Sequence, residues 1–406
     1  MNFQPLPYHK SVAGYLEQHE ADLWAWFRAD DSDETRHRKQ RLDMLKGAVE
    51  LDVKGQNGRR HALASIAKGR LQLSVPVRLY QLHDTGGSPN AYLLYQPNEI
   101  VIVFQGRILE LLTEPELLDL LGHEMSHYKL YIEDGGRYHV AQRLLWWIGS
   151  QPSCPAPFIE TARRLSLYTE IYCDIGGLTA CEDRNATISG LAKTVANFRD
   201  VDAATYLRQA DEILALDPSS SLGTTHPELH IRVLALAQSR QMAPPEFHAF
   251  LKSLIDGRIG LGQLDLFEQA LLRDATHVLI DQVASQPAVA TDKFLSHVRE
   301  FRPGYKLPSA TVEARTTLGL PTLDAHAQLY LGYVLMDLAT ADADNIQAVW
   351  PVVVKIAETY QLDTTLRTIA RDEFKGRRKL LKQLEARPEI RPEDRQADRQ
   401  ADRATP

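Results

Sequence analysis

The sequence predicts an α+β fold that is mostly helical, with one small β-sheet in its first half and an all-α bundle toward its C-terminal end. Three observations carry this reading. Apolar runs rich in β-formers at residues 75–80, 91–95 and 100–104 read as strands. On either side of them, apolar residues recur at helical spacing. From Glu246 to about Glu385 the helical pattern continues unbroken, which reads as a separate bundle. A chain of 406 residues with 44% hydrophobic content can bury two or three real cores.

Residues 1–45 read as an N-terminal helical segment in which Leu16, Leu23, Trp24 and Phe27 share an apolar face. Asp30-Asp31-Ser32-Asp33-Glu34 is a solvated break. The central domain is expected over residues 46–245. Within it, Arg59 to Gly69 reads as a helix closed by Gly69, and Val75-Pro76-Val77-Arg78-Leu79-Tyr80 as a first strand. Ala91-Tyr92-Leu93-Leu94-Tyr95 and Ile100-Val101-Ile102-Val103-Phe104, parted by Gln96-Pro97-Asn98-Glu99, form a hairpin that leads into a helix. That helix starts at Thr113-Glu114-Pro115-Glu116, a Thr cap with acidic residues and Pro in the first turn and Glu three positions after the cap. Leu117, Leu118, Leu121 and Met125 then make its buried stripe.

Leu144-Leu145-Trp146-Trp147-Ile148, far too short to cross a bilayer, reads as a core segment ahead of its alternative, a surface for substrate, partner or lipid. Ser166 to Asp174 lies in a further helix with Leu167, Ile171, Ile175 and Leu178 on one face. Gly176 and Gly177 follow, and since glycine lowers helix propensity, close helix packing is the reason to expect them there. Ser219-Ser220-Ser221-Leu222-Gly223-Thr224 is a loop, and Pro244-Pro245 marks the division before the bundle at 246–385. The tail at 386–406, with its Asp394-Arg395-Gln396-Ala397 repeats, balances its charge, lacks a core-forming pattern and is expected to be disordered or transiently helical.

The chemistry begins at His123-Glu124-Met125-Ser126-His127, an HExxH pattern inside the capped helix. Imidazoles at i and i+4 lie on one helical face. Both can reach one tetrahedral metal, while the intervening Glu124 is placed to act on water at that metal, a zinc-hydrolase signature. Two histidines leave a catalytic zinc one protein ligand short. Glu170 and Asp174, one turn apart in the later helix, are the acids best placed to complete it. Cys173 lies between them and reads as a small buried hydrophobe.

Four segments in order resemble the HtpX and CaaX prenyl protease family of zinc metallopeptidases, which are gluzincins: Asn90-Ala91-Tyr92, the Gly122-to-His127 helix, the Glu170-to-Asp174 ExxxD segment, and Thr225-His226-Pro227 followed by Arg232. The resemblance spans about residues 75 to 240. It implies a zincin-like catalytic domain holding one zinc per chain through His123, His127 and Glu170, with Glu124 as general base. It further implies that Asp174 supports a ligating histidine, most naturally His123, and that His226 stands near the metal as an oxyanion donor or fourth ligand. Asn90, Ala91 and Tyr92 would form a substrate-facing edge strand that accepts an extended peptide. Two readings stay open. Pro227 also suits the first turn of a helix holding Ile231, Leu234 and Leu236, with Thr225 or His226 as its cap, and Arg232 suits a structural role as well as contact with substrate. The stretch from Leu335 to Asp342 and the helix after it are faintly similar to TerB-like helical domains.

A net charge of −7 provides no basic footprint for nucleic acid. Three cysteines without paired spacing fit a reducing compartment, and no charged and apolar leader opens the chain, so a cytoplasmic setting is expected. The absence of an apolar run of bilayer length departs from the membrane-embedded members of the resembled family. The expected partner is a peptide or an unfolded or misfolded protein, with the helical bundle as a candidate docking domain. The alternative is a zinc-binding protein without peptidase activity that holds clients.

Overall fold

The computed structural model describes residues 3–31, 34–83, 88–196, 198, 200–309, 312, 318 and 323–376. The expected tail at 386–406, and Ser32 and Asp33 of the acidic break, lie outside them. Contacts divide the chain into two units, Met1–Arg258 and Ile259–Pro406. The described residues are mostly helical, with one small mixed sheet.

The first unit opens with α1 (Pro7–His19), α2 (Ala21–Asp31) and α3 (Glu34–Leu45), followed by β1 (Ala48–Glu50), α4 (Gln56–Arg70), β2 (Val77–Leu82), β3 (Asn90–Gln96) and β4 (Glu99–Gln105). The sheet order is β1-β2-β4-β3, with β2 and β4 parallel and the outer pairs antiparallel. β4 is the innermost apolar strand. Its Ile100, Ile102 and Phe104 join Leu79 and the helices on one side, and its Val101 and Val103 join Met44 and Tyr80 on the other, so both faces are buried. The hairpin read from the sequence is β3-β4, closed by Gln96↔Glu99 around Pro97-Asn98. β1 was not foreseen. It is a three-residue, largely exposed strand, and the alternation Val49-Glu50-Leu51-Asp52-Val53 that runs through it is the signal that could have found it. Gly69 does not close α4; the left-handed residue after that helix is Gln72, at φ 58°.

The unit continues with α5 (Ile108–Leu111), α6 (Glu114–Ile132), a 3-10 turn at Glu133–Gly136, α7 (Arg137–Gly149), α8 (Ala156–Cys181), α9 (Arg184–Ala196), α10 (Ala203–Leu216), α11 (Leu229–Gln238) and α12 (Pro244–Ile255). The start of α6 is the expected capping box: the Glu116 carboxylate accepts the Thr113 N–H at 2.8 Å. Leu117, Leu118, Leu121 and Met125 are buried as its stripe. Residues 144–148 divide in two, since Leu144 and Leu145 are buried whereas Trp146 is 77% exposed. Pro244 and Pro245 open α12, whose Leu254 packs with Leu178, Leu229 and Leu234. The division of contacts therefore falls one helix later than the diprolyl, after Arg258. The second unit holds α13 (Leu266–Ala284), α14 (Asp292–Phe301), α15 (Ala325–Thr340), α16 (Ile346–Thr359) and α17 (Asp363–Glu373) around a core that includes Leu279, Phe294, Leu335, Val349 and Leu366.

The N-terminal segment packs on the helix that will matter most, α8. Phe3 stacks on Tyr172 with ring centroids 4.3 Å apart, and His9 Nε2 meets Thr169 Oγ1 at 3.1 Å. His9 Nδ1 accepts the Leu6 N–H at 3.2 Å, so the ring serves as a neutral connector. Burial pulls its pKa down to about 3.

α6 and α8 cross at near-contact distance because small residues face one another there. A Cβ added at Gly122 would lie 2.3 Å from Ala180 Cβ, one at Gly176 1.8 Å from Ser126 Oγ, and one at Gly177 2.9 Å from the Asp119 carbonyl oxygen. The expected reason for the diglycine is thus met: the helices approach too closely for side chains.

Two predictions follow from this packing. Gly122→Ala should lower unfolding free energy by about 1–3 kcal/mol, and Ala180→Gly in the same chain should add less to that loss than it costs alone, since it removes the 2.3 Å clash and leaves the backbone contacts of Gly176 and Gly177. Both are read from urea unfolding of the single and double variants. His9 gives a pH dependence. An unfolded histidine takes up a proton near pH 6.5 but the folded one does not until about pH 3, so unfolding is favoured as pH falls through that window. Wild type should lose on the order of 1 kcal/mol per pH unit more than His9→Gln between pH 6 and 4, measured by unfolding at stepped pH.

Candidate metal centre

The close crossing of α6 and α8 brings together residues 47 positions apart along the chain, His123 and Glu170. Glu170 is 7% exposed and lies between three imidazoles. Its Oε2 is 3.6 Å from His123 Nε2 and 3.6 Å from His226 Nε2, and its Oε1 is 3.7 Å from His127 Nε2. Donor atoms around a tetrahedral zinc with bonds of about 2.0–2.1 Å are spaced by about 3.3 Å. The nitrogen-to-carboxylate spacings of this cluster fit such an ion with small adjustment. Cys173 offers a rival third donor, its sulfur lying within 4.8 Å of ring nitrogens of His123 and His127. Glu170 is near all three imidazoles, His226 included, whereas Cys173 is grouped with the two HExxH histidines.

Behind the ligand cluster sits a buried charge relay of position rather than of protons. His123 Nδ1 is 3.0 Å from Asp174 Oδ1. Asp174 also accepts two hydrogen bonds from Arg232, Nε to Oδ2 at 2.7 Å and Nη2 to Oδ1 at 2.6 Å. Arg232 Nη2 is in addition 3.3 Å from Glu170 Oε2. Burial opposes charge on Asp174, but the Arg232 guanidinium and the His123 hydrogen bond hold its pKa at about 2. On His123, burial is outweighed by the Asp174 hydrogen bond and the Glu170, Asp174 and Glu124 charges, which raise its pKa to about 9. Of the two sequence readings of Arg232, the geometry is that of a buried side chain, 3% exposed, holding Asp174.

Glu124 lines the same cleft, and burial pushes its pKa up to about 7 while the backbone N–H of Leu93 faces its carboxylate. The cleft, of about 560 Å³, is also lined by Asn90, Ala91 and Tyr92 of β3, by Leu191 and Val195 of α9, and by Tyr131 and His226. β3 stands at the sheet's edge. Its Ala91 N–H is taken up by the Asn90 side chain at 2.9 Å.

His226 does not cap a helix. α11 starts at Leu229 with Glu228 before it, and His226 lies in the preceding bend, its ring 59% exposed. Its Nδ1 meets Thr225 Oγ1 at 2.8 Å. The loop is tied down: Arg163 donates to the Ser221 and Gly223 carbonyls, and the Glu228 carboxylate accepts from Ser221 Oγ and Leu222 N–H. A Cβ at Gly223 would fall 2.0 Å from the His226 carbonyl oxygen, so the chain closes on itself there.

The cleft residues that the sequence reading does not single out include Tyr131, four positions after His127, and Asp119, four positions before His123. The signal was available, since i±4 places both on the face that carries the histidines. α9 could not be anticipated as a cleft wall, because its contact with α6 is set by the tertiary fold. Burial pushes the Asp119 carboxyl up to about 7.

An HExxH helix, a carboxylate from a second helix and a sheet edge on one cleft define a metallohydrolase type of site. Residues 61–132 match the model of Peptidase family M48, from α4 through the end of α6, taking in His123, Glu124 and His127. The match supports a protease, ends before Glu170, and covers about a fifth of the chain. No curated protein and no solved structure matches the chain. Among the described residues no helix is long and apolar enough to cross a membrane.

Arg232→Met should lower stability by about 3–5 kcal/mol, because it strands a buried carboxylate. The double variant Arg232→Met/Asp174→Asn should recover part of that loss. Unfolding titrations of the two variants beside wild type check it.

Proposed function

We propose that the chain is a zinc-dependent endopeptidase of the HtpX and CaaX protease-like, gluzincin kind, with a zincin-like catalytic domain. The observation that carries this is the Glu170 carboxylate set 3.6–3.7 Å from ring nitrogens of both HExxH histidines. His123, His127 and Glu170 would hold one zinc per chain. A bound zinc supplies Lewis-acid chemistry, making water a nucleophile near neutral pH and polarising a peptide carbonyl.

The chain's own residues do the rest. Glu124 takes a proton from the attacking water and later delivers it to the leaving amine nitrogen. His226, exposed with its Nε2 3.6 Å from the Glu170 carboxylate, would either donate to the carbonyl oxygen as charge develops on it or serve as a fourth ligand to the ion. Asp174 fixes the His123 ring through Nδ1, leaving Nε2 for the ion, and Arg232 holds Asp174 in turn. β3 offers its outer edge to an extended peptide. Strand addition recognises backbone, which suits unfolded or misfolded substrates of varied sequence.

Purified protein should carry one zinc per chain and cleave casein. Glu124→Gln should keep the zinc and lose at least about a hundredfold in cleavage rate. Glu170→Gln should lose zinc, whereas Cys173→Ala should retain it. Metal content by atomic absorption and cleavage by fluorescent casein release give both readings. An inert wild type with full zinc would turn the reading toward a client-holding metal protein.

A further inference from the structure

Asp119 is 6% exposed and lies four residues, about 6 Å along the helix axis, from His123. Its two oxygens have different surroundings. Oδ1 accepts from Thr187 Oγ1 at 2.7 Å and presses on Gly177, where a Cβ would sit 2.6 Å away. Oδ2 faces Gly190, a cleft-lining residue of α9 without a side chain to cover it; even a Cβ there would stand off by 3.8 Å. Among the described residues no lysine or arginine lies within ion-pair distance of Asp119.

Its neighbour Glu116 is in the opposite position. It accepts from the Thr113 N–H, from Ser189 Oγ at 2.6 Å and from Lys193 Nζ at 2.8 Å, so it and Lys193 cancel. Glu116 thus has a cation beside it, whereas the Asp119 carboxyl is met by the Thr187 hydroxyl rather than by a cation. The cleft that Asp119 lines is also lined by the apolar Ile108, Leu112, Leu191 and Val195. Apolar lining together with an acid that has no cation beside it matches a side chain with a methylene stem and a cationic head. A neutral apolar chain would bury Oδ2 without a partner, and an acidic one would meet like charge.

Resting on the peptidase reading, we infer that the part of the cleft that Asp119 lines is a subsite for a substrate lysine or arginine next to the scissile bond, with Asp119 as the specificity-determining residue. The cation seats against Oδ2 while Thr187 holds Oδ1 in place.

Binding tests this without turnover. Zinc-loaded Glu124→Gln is titrated, by fluorescence anisotropy, with labelled alanine-rich octapeptides in which one lysine is walked through the positions. Matching peptides carry norleucine, which keeps the stem and removes the charge, or glutamate. At one position the lysine peptide should bind at least tenfold tighter than norleucine, with glutamate weakest, and Asp119→Asn in the same background should reduce the lysine advantage below twofold. Equal binding of lysine and norleucine at every position overturns the subsite, whether or not the Asp119 variant folds, and so does failure of every peptide to bind. Casein cleavage by wild type reports separately on the peptidase reading. A protein that cleaves without lysine preference loses the subsite and keeps the enzyme; one that selects lysine but never cleaves does the reverse.

Discussion

Everything in the first unit's cleft depends on how closely α6 can approach α8. The donor atoms belong to side chains of modest length, so a carboxylate on one helix can meet two imidazoles on the other only if the backbones nearly touch. Gly122, Gly176 and Gly177, with Ser126 and Ala180, permit that approach. The residues flanking these small positions on the two helices are His123 and His127, and Glu170 and Asp174. Packing and chemistry therefore occupy one stretch of each helix. The large side chains of the two helices, Leu121, Met125, Leu167 and Ile171 among them, are buried as well, Leu121 and Met125 against the residues beneath the sheet.

The second constraint is electrostatic. Glu124, Glu170, Asp174 and Asp119 are four acids, all under a tenth exposed, brought to one region. Such a concentration is tolerable only where each has a defined answer. Asp174 has Arg232, and Glu170 shares that guanidinium and faces three imidazoles. Glu124 has the Leu93 N–H beside it, and Asp119 a threonine hydroxyl. Arg232 is thus the positive centre around which the acids are arranged, which is why it is buried in spite of its charge. It comes from α11, so the fold has to bring a third helix to the same point.

What the sequence disclosed and what it withheld divide along range. Features written in a few adjacent residues were legible: the Thr113–Glu116 box, the β3-β4 hairpin with Pro97-Asn98 at its tip, the buried stripe of α6, and the HExxH spacing that a single helix turns into geometry. Glu170, Asp174 and Arg232 needed the family resemblance, because nothing local ties them to His123. The parallel placement of β2 beside β4 and the wall built by α9 were illegible, since each is decided by distant packing. Leu144 to Ile148 shows the same limit at small scale: five apolar residues read as one core segment, yet a helix has to send Trp146 to the opposite side from Leu144. Asp119 and Tyr131 were within reach of helical periodicity, but their meaning emerges only when a cleft is seen to pass over them.

The outer edge of β3 has a further consequence. A bare sheet edge is a template on which any extended chain, including another copy of the same protein, can begin to zip. Here the Ala91 N–H is already engaged by the Asn90 side chain, and the Leu93 N–H looks inward at Glu124. Self-association therefore begins with fewer free donors than the strand's position would suggest. An extended chain that adds to this edge, substrate or second copy, has first to displace the Asn90 side chain from the Ala91 N–H.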